Sequence, residues 1–494
     1  MCGIVGIASG AEIGTVKSML DVLRHRGPDD SGIHQDDCNA LGHARLSIID
    51  IGGGKQPMSD PGDRRRVVFN GEIYNYKDLR SEIGSAEFAT HSDTEVLLHL
   101  SQSGSEPAKW VSRLDGMFAF AVVQGENLTL ARDPLGIKPL YLGERNGALV
   151  FGSEIKAMLV ASDEVAEFPP GHVYSPVAGL QRYYTLSESP GSVTDAGQAK
   201  RGLRERLEEA VRKRLIADVS VGVFLSGGLD SSLVSAIARR HKHPLDSFAI
   251  GTEDSEDLAR AREVSAYLGT RHHERVYTLK EAIALLPEVI YYLESFDCAL
   301  VRSAIPNFLV AKLAQEHVKV ALSGEGADEL FAGYDYLKSI NQDSLQDELL
   351  HITRALHNTN LQRCDRMSMA HGLEVRVPFL DIELVDFAFR MTTQLKLRGS
   401  AQTEKWILRR VAEEILPADI VWRKKVKFAT GSGLGDRLAQ FAEQEISDTE
   451  FARERTIGDG KTLRSKEELL YYRIFREQYS GNNLLPLVGR SRSV

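Results

Sequence analysis

The sequence lacks the features that mark membrane, secreted and zinc-binding proteins. Its 494 residues contain no uncharged apolar run of about 18 residues, the length that a transmembrane helix needs, and no basic N-terminal segment before an apolar stretch. The four cysteines, Cys2, Cys38, Cys298 and Cys364, are scattered without the spacing of a zinc site or a disulfide framework. These absences predict a cytoplasmic protein with reduced thiols.

An excess of positive charge is also missing. The chain has 60 Lys and Arg against 69 Asp and Glu, a formal net charge of -9, which disfavours a general nucleic-acid surface. It has no internal repeats, and its hydrophobic fraction of 43% suits globular packing. The length exceeds that of one ordinary domain, so we expect two or three separate cores.

The first part of the chain, to about residue 165, consists of short apolar stretches separated by turns. Strands are predicted at residues 3–9, 42–49, 66–69, 118–123, 128–131 and 149–151. Helical periodicity occurs only near residues 14–24, 76–83 and 94–103. This part is therefore predicted to contain packed sheets with a few covering helices.

The pattern changes after residues 186–198, which are rich in Ser, Gly, Thr and Pro and are the predicted linker. Beyond it, apolar strands at residues 220–225, 245–251, 272–277 and 318–322 alternate with amphipathic helices that begin near residues 231 and 258. This alternation predicts a parallel, doubly wound α/β sheet. From about residue 327 the chain is predicted to be mostly helical.

Cys2 directly follows the initiator methionine. Removal of Met1 would leave a cysteine with a free α-amine, whose pKa of about 7.7 to 8.0 lies near the thiol pKa of about 8.5. Through a bridging water the amine could take the thiol proton, so Cys2 is a candidate nucleophile that carries its own base. On Cys2 alone, an ordinary second residue is the better explanation.

Four motifs after Cys2 supply groups that amide hydrolysis needs. The Asn70 side chain and the Gly71 N–H could donate to an oxyanion. Arg45 could bind a carboxylate, while Glu72 and Asp93 could bind an ammonium group. Each residue also has a plainer explanation: a surface charge for Arg45, a hairpin turn for Asn70 and Gly71, and a helix cap for Asp93. The motifs are RHRGPD at 24–29, RLSIID at 45–50, FNGEIYN at 69–75 and HSDTE at 91–95.

In order and spacing, these motifs resemble the class II glutamine amidotransferase domain, an N-terminal-nucleophile hydrolase, over about residues 2–165. The resemblance implies an αββα sandwich that hydrolyses glutamine through a thioester to glutamate and ammonia. It implies Cys2 as the nucleophile and Asn70 with Gly71 as the oxyanion hole. The glutamine contacts that it implies are Arg45, Leu46, Ser47, Ile48, Ile49, Asn70, Gly71, Glu72 and Asp93.

The strongest local signal is VFLSGGLDSS at residues 223–232. An apolar strand ends in a Ser-Gly-Gly turn and enters a helix near Ser231, so bare backbone and the first helical N–H groups form a cradle for an anion. No Gly-Lys-Ser/Thr follows the glycines, which excludes a Walker loop. A plain turn would explain Gly227 and Gly228 but not the serines and the aspartate around them.

A second loop, SGEGADE at residues 323–329, also follows a predicted strand and precedes a helix. Because the carboxyl ends of parallel strands meet at one edge of a sheet, the two loops are predicted to share one crevice. Asp230 and Asp328 are then candidate Mg²⁺ ligands, since this ion prefers carboxylate and phosphate oxygens. Helix capping is the alternative for both.

The first loop resembles the pyrophosphate loop of ATP pyrophosphatases, which split ATP between its α and β phosphates. The resemblance implies that Glu325 is catalytic, in forming an acyl-adenylate and as a base toward ammonia. Lys425 belongs to the basic run WRKK at residues 422–425, for which a solvated surface is the alternative. The ATP contacts implied are Leu225, Ser226, Gly227, Gly228, Asp230, Ser231, Ile250, Ser323, Gly324 and Lys425.

Both halves in this order, with EVRVPFLD at 374–381 and TEKW at 403–406, resemble the glutamine-hydrolysing asparagine synthetases from residue 2 to about 435. The resemblance implies a glutaminase domain at 2–185 and a synthetase domain at 199–494. It implies that aspartate and MgATP form β-aspartyl-AMP, which ammonia from glutamine converts to asparagine. The expected partners are glutamine, aspartate and ATP, without nucleic acid or membrane, and a homodimer is compatible with the sequence.

The resemblance also implies an internal ammonia tunnel, for whose wall Met117 and Phe118 are candidates, with core packing as their alternative. Three other functions stay open: a synthetase that amidates a different carboxylate, an RNA-modifying pyrophosphate-loop enzyme, and an inactive scaffold protein. The first stays open because fold and ATP chemistry do not fix the acceptor. The acidic charge opposes the second, and intact Cys2, Asp230 and Glu325 oppose the third.

Overall fold

The computed structural model describes residues 2–84, 88–102, 104–186, 191–424, 428–480 and 482–492. Two antiparallel sheets form the N-terminal part, and one parallel sheet forms the centre of the C-terminal part. The N-terminal strands are β1 Gly3–Ala8, β2 Asp30–Gln35, β3 Asn39–Arg45, β4 Met58–Ser59, β5 Arg66–Ile73, β6 Gly116–Gln124, β7 Asn127–Arg132, β8 Tyr141–Arg145, β9 Ala148–Gly152, β10 Val165–Glu167, β11 His172–Ser175 and β12 Gly179–Arg182. The N-terminal helices are α1 Ile13–Val22, α2 Tyr76–Ile83, α3 Glu95–Ser101, α4 Pro107–Val111 and α5 Ile155–Met158.

The two N-terminal sheets pack face to face. The first has the strand order β10-β8-β9-β1-β3-β2, and the second has the order β12-β11-β7-β6-β5-β4. An apolar layer that includes Ile4, Leu41, Val68 and Leu130 lies between them. Helices α1 and α5 pack on the first sheet, and α3 and α4 pack on the second. The predicted αββα sandwich is confirmed.

Side-chain alternation in the strands places two candidate catalytic residues. In β1, Ile4 and Ala8 belong to the layer between the sheets, so the side chain of Cys2, two residues before Ile4, emerges on the same side. In β5, Val68 belongs to the same layer and Asn70 follows it by two residues. The two side chains therefore lie on the inner faces of their sheets.

The C-terminal part contains the remaining elements. Its strands are β13 Val221–Phe224, β14 Asp246–Gly251, β15 Arg271–Val276, β16 Val320–Leu322 and β17 Glu374–Arg376. Its helices are α6 Ala196–Lys213, α7 Leu229–His241, α8 Glu256–Leu268, α9 Leu279–Ala284, α10 Leu286–Leu293, α11 Cys298–Ala314, α12 Ala327–Leu330, α13 Gln342–Arg354, α14 Asn360–Met369, α15 Ile382–Arg390, α16 Thr393–Lys396, α17 Trp406–Ala412, α18 Ala418–Val421, α19 Phe428–Gly431, α20 Arg437–Glu445, α21 Asp448–Glu454 and α22 Lys466–Gln478.

The five C-terminal strands are all parallel, in the order β15-β14-β13-β16-β17. The chain runs outward from β13 through β14 to β15 and then returns to the other side of β13, so the strand order reverses between β13 and β16. A ligand crevice is expected at such a reversal. The predicted doubly wound sheet with a helical C-terminal part is confirmed. None of the described helices combines the length and the apolar composition that a bilayer span requires.

Three local predictions differ from the structure. Residues 46–49 leave strand β3, because the N–H of Ser47 donates to the Asp29 carboxylate and the carbonyl of Ile48 accepts from Asp218 rather than from a neighbouring strand. Residues 196–198 of the predicted linker form the first turn of α6, capped by Asp195. Residues 374–376, in a region predicted to be helical, form the edge strand β17.

Candidate active sites

Cys2 lies buried at the end of the sandwich. Its backbone N donates to Asn70 Oδ1 at 3.1 Å, its thiol donates to the Leu46 carbonyl at 3.9 Å, and its carbonyl accepts from Arg26 Nε at 3.0 Å. Burial raises the pKa of the Cys2 thiol, against the lowering effect of the positive charge of Arg45. A base must therefore take the thiol proton before Cys2 can act as a nucleophile.

Asn70 and Gly71 lie inside strand β5, so the hairpin-turn explanation is wrong. A Cβ at Gly71 would lie 2.0 Å from the Met117 carbonyl oxygen, and only glycine allows this approach of β6. Asn70 Nδ2 is buried and has no hydrogen-bond partner among the described residues. An unsatisfied buried donor costs about 1–3 kcal/mol, so this amide is suited to an acceptor that a ligand brings.

The carboxylates of Glu72 and Asp93 are both buried, each with 4% exposure. Asp93 Oδ2 accepts from the N–H of Ile73 at 3.0 Å, and helix α3 begins only at Glu95 with Thr94 at its N-cap, so the helix-cap explanation is wrong. Burial raises the pKa of Glu72 well above its usual range and that of Asp93 to about 6. A bound ammonium group would stabilise their ionised forms.

Arg45 is buried rather than a surface charge. Its guanidinium donates to the carbonyls of Asp50 at 2.7 Å and Ile51 at 2.9 Å, and so shapes the loop after β3. The predicted glutamine contacts Leu46, Ser47, Ile48 and Ile49 form the start of this loop, and all four are buried. Through the Leu46 carbonyl, the loop reaches the thiol of Cys2.

Arg376 joins the N-terminal site to the C-terminal sheet. It belongs to β17, its side chain is fully buried, and its Nη2 lies 3.3 Å from Glu72 Oε1. Its backbone carbonyl accepts from the N–H of Ser323, in the second predicted ATP loop, at 2.9 Å. The sequence motif at 374–381 contains Arg376, but no local pattern indicated that its side chain reaches Glu72.

The second site is a crevice of about 410 Å³ at the carboxyl ends of β13 and β16. The two loops touch, because a Cβ at Gly324 would lie 2.9 Å from the Cβ of Asp230. Gly227, with φ +73°, is not among the lining residues, although its neighbours Ser226 and Gly228 are, and Lys425 lies outside the described residues. The predicted residues that line it are Leu225, Ser226, Gly228, Asp230, Ser231, Ile250, Ser323, Gly324, Glu325 and Asp328.

Helix α14 orients the acidic residues of the second loop. Arg363 Nη2 donates to Glu325 Oε1 at 2.5 Å, and Asn360 Nδ2 donates to Glu329 Oε1 at 3.0 Å. Burial, together with the charge of Asp328, raises the pKa of Glu329 to about 7. Sequence reasoning missed Arg363 and Asn360, because neither belongs to a loop motif.

Lys405 lies between the two loops, although no sequence pattern predicts a role for it. Its Nζ is 2.5 Å from Asp230 Oδ2 and 2.5 Å from Asp328 Oδ1, and its side chain is 3% exposed. The two predicted metal ligands therefore converge on one point where a positive charge is already held. This shows that the crevice can accommodate a cation between its loops.

Family models match both parts of the chain. Residues 1–183 match a model described as a glutamine amidotransferase domain, and residues 202–349 and 338–484 match the asparagine synthase model. A probable glutamine-hydrolysing asparagine synthetase of Dictyostelium discoideum is 37% identical over 99% of this chain and 96% of that protein. The chain belongs to the family of glutamine-hydrolysing asparagine synthetases.

Other members of the family are similarly close. Asparagine synthetase B of Escherichia coli (strain K12) is 38% identical over 97% of this chain and 91% of that protein. Glutamine-hydrolysing asparagine synthetase 2 of Arabidopsis thaliana is 39% identical over 97% of this chain and 87% of that protein. The similarity therefore extends over both parts of the chain.

Buried ion pairs of this synthetase also connect the two sites through helix α14. Arg26, which holds the Cys2 carbonyl, donates from Nη1 to Asp365 Oδ2 at 2.8 Å. Asp365 follows Arg363, the partner of Glu325, by two residues on the same helix. Arg26, Asp365 and Arg363 are all buried. A continuous set of buried contacts thus runs from Cys2 in the first site to the acidic loop of the second.

Proposed function

We propose that the protein converts aspartate to asparagine with glutamine as nitrogen donor, releasing AMP, pyrophosphate and glutamate. The observation that carries this proposal is that one chain of this family contains two different sites. In the first, buried Cys2 lies beside the Asn70 amide, whose Nδ2 has no hydrogen-bond partner among the described residues. The second is an open crevice between two loops. A glutaminase without a nucleotide crevice could not activate an acceptor. A synthetase without Cys2 would depend on free ammonia.

In the proposed glutaminase reaction, removal of Met1 gives Cys2 a free α-amine that takes the thiol proton through water. The thiolate attacks the amide carbon of glutamine, and Asn70 Nδ2 with the Gly71 N–H donates to the oxyanion. Ammonia leaves, and water then hydrolyses the thioester to glutamate. Arg45 binds the carboxylate of glutamine, and Glu72 and Asp93 bind its ammonium group.

In the proposed synthetase reaction, the two loops bind ATP. The β-carboxylate of aspartate attacks the α-phosphorus, pyrophosphate leaves, and ammonia then displaces AMP from the acyl carbon with Glu325 as base. Asp230 and Asp328 are the residues that would hold Mg²⁺, which when bound offsets the negative charge of the phosphates. Their convergence on Lys405 Nζ supports this assignment. The contact of Lys425 with pyrophosphate stays a prediction.

Ammonia is proposed to pass between the sites inside the protein. Met117 and Phe118 are fully buried, which is compatible with either a tunnel wall or ordinary core packing. Passage inside the protein has a chemical reason, because ammonia released into neutral water would be protonated and lose its nucleophilic lone pair. The homodimer and the cytoplasmic location stay predictions from the sequence.

The test is an assay of the purified protein with amide-labelled ¹⁵N-glutamine, ATP and one of several carboxylates: aspartate, glutamate or succinate. We expect AMP, pyrophosphate and labelled asparagine in equal amounts, and only with aspartate. AMP formation with another carboxylate and not with aspartate would refute the proposed acceptor. ATP hydrolysis without any amide product would refute the synthetase activity itself.

A further inference from the structure

Lys405 is fixed in place by its own backbone and by its packing. It has a left-handed conformation, with φ +55°, at the N-cap of α17, and its N–H donates to the carbonyl of Phe331 at 3.0 Å. A Cβ at Gly333 would lie 2.4 Å from the Cε of Lys405, so the glycine leaves room for the lysine stem. The structure therefore directs this ammonium group at the two loops.

The surroundings keep Lys405 charged. Its Nζ contacts carboxylate oxygens of both Asp230 and Asp328, and a buried charge is stable when it is paired in this way. The side chains of these two aspartates are 21% and 25% exposed, respectively, and both line the crevice. The ammonium thus offsets one of the two negative charges that these carboxylates bring to the space where phosphates are proposed to bind.

We propose that Lys405 occupies the cation position of the crevice when no nucleotide is bound, so that a divalent cation binds there only together with ATP. This inference rests on the proposed function, which assigns ATP to the crevice and Mg²⁺ to Asp230 and Asp328. It adds a role for Lys405 that neither the loops nor the metal ligands supply.

The physical reason is competition for the same oxygen atoms. A divalent cation needs the carboxylate oxygens that Lys405 Nζ already contacts at 2.5 Å. Two cations that share these oxygens repel each other strongly in a partly buried site. The phosphates of ATP offer the ammonium other acceptors and add negative charge to the crevice. When only a small fraction of a protein is competent to bind, its apparent affinity falls by that fraction.

The inference can be tested with Mn²⁺ as the probe and electron paramagnetic resonance as the readout of unbound Mn²⁺. We expect Lys405→Met to bind Mn²⁺ without nucleotide about tenfold or more tightly than the wild type, as if about a tenth of the wild type were competent. Lys405→Arg keeps the positive charge and should stay near the wild-type affinity. Lys338→Met is the matched control, because Lys338 Nζ lies 2.9 Å from Asp335 and 3.3 Å from Glu404, two carboxylates that do not line the crevice.

A double variant, Lys405→Met with Asp230→Asn, should lose the added affinity, which would assign the Mn²⁺ to the crevice. Equal nucleotide-free Mn²⁺ affinity of the wild type and Lys405→Met would overturn the inference. Retained glutaminase activity reports that each variant is folded, and Lys405→Gln replaces Lys405→Met if that variant does not fold.

Titration in the presence of ATP separates failure of this inference from failure of the proposed function. If Asp230→Asn binds Mn²⁺ with ATP as well as the wild type does, the proposed metal ligands are wrong. If Asp230→Asn weakens binding with ATP but Lys405→Met gains nothing without it, only the role of Lys405 is wrong.

Discussion

The two sites of this chain differ in how far they are open. Cys2 is 7% exposed, and Glu72 and Asp93 are each 4% exposed. The second site is a crevice of about 410 Å³, in which the side chain of Glu325 is 21% exposed. A site that releases ammonia benefits from excluding water, whereas a site that exchanges ATP for AMP and pyrophosphate must stay open. The difference in burial therefore follows the products that each site handles.

The sites also differ in the origin of their positive charge. In the first, burial raises the pKa of Asp93 to about 6, so its ionised form is favoured once an ammonium group arrives with the substrate. In the second, the chain itself supplies the ammonium of Lys405. The first site thus holds Arg376 beside Glu72 yet leaves the pKa of Asp93 raised, whereas in the second site both aspartates contact Lys405 before a ligand binds.

Replacing Cys2 should abolish the activity of the first site and leave the activity of the second site intact. We expect Cys2→Ala to abolish synthesis from glutamine and to leave synthesis from added ammonium unchanged, because the nucleophile takes no part in adenylation. Asparagine formation with each nitrogen source is the measurement. Cys38→Ala, which changes a partly exposed cysteine in the same part of the chain, is the control and should keep both activities. Equal loss with both nitrogen sources would contradict the comparison.

Replacing Glu325 should have the opposite effect. Glu325→Gln is expected to reduce asparagine synthesis from either nitrogen source by about 10²–10⁴-fold, the usual contribution of a general base. Release of glutamate from glutamine should persist. Glu274→Gln, at a surface ion pair with Arg262, is the control. Normal synthesis by Glu325→Gln would remove Glu325 from the reaction.

Removing the unpartnered amide should affect only the first site. Asn70→Ala is expected to lower the kcat for glutamine hydrolysis by about 10²–10³-fold, the usual effect of losing one oxyanion donor. Asn75→Ala is a control from the same motif, since Asn75 Nδ2 donates to the Arg113 carbonyl on the exposed side. If the two variants have the same kcat, Asn70 is not an oxyanion donor.

The smallest expected effect is a dependence of glutamine binding on pH. Because the pKa of Asp93 is raised to about 6, its carboxyl group is ionised above this pH and neutral below it. The KM for glutamine should therefore rise as the pH falls below about 6, by at most about tenfold per pH unit for one titrating group. Asp93→Asn should have a high KM that changes less over this range, with Glu72 as the carboxyl group that still titrates. A wild-type KM that stays constant down to about pH 5 would exclude the role of Asp93.

Local patterns predicted the site whose residues directly follow predicted strands. The glycine turns after β13 and β16 predict that the two loops share one crevice, and the structure confirms it. The proximity of Cys2 and Asn70 follows only from the family resemblance, because the apolar pattern predicts a strand that ends at Phe69, before Asn70. A predicted strand boundary was wrong where the backbone binds a side chain instead of a neighbouring strand. The Asp29 carboxylate binds the N–H of Ser47, and so ends β3 earlier than its apolar pattern suggests.

The residues that sequence reasoning missed act across long stretches of chain. Lys405 meets Asp230 across 175 positions, and Arg363 meets Glu325 across 38. Helical periodicity indicates which face of a segment is apolar, but it does not indicate which neighbour that face contacts. Strand β17 is three residues long, which is too short to show a period of two. Arg376 therefore could not be assigned to the glutamine site from the sequence.

The position of Arg376 sets a limit on recombining members of this family. One residue of the C-terminal sheet supplies both a buried guanidinium near Glu72 and the carbonyl that fixes Ser323. Consider a chimera whose first 185 residues come from a relative that has no carboxylate at the position of Glu72. The Arg376 guanidinium would then lose one carboxylate partner, and a buried charge without its partner destabilises a protein. A chimera that takes its N-terminal part from a relative should therefore also take strand β17 from that relative.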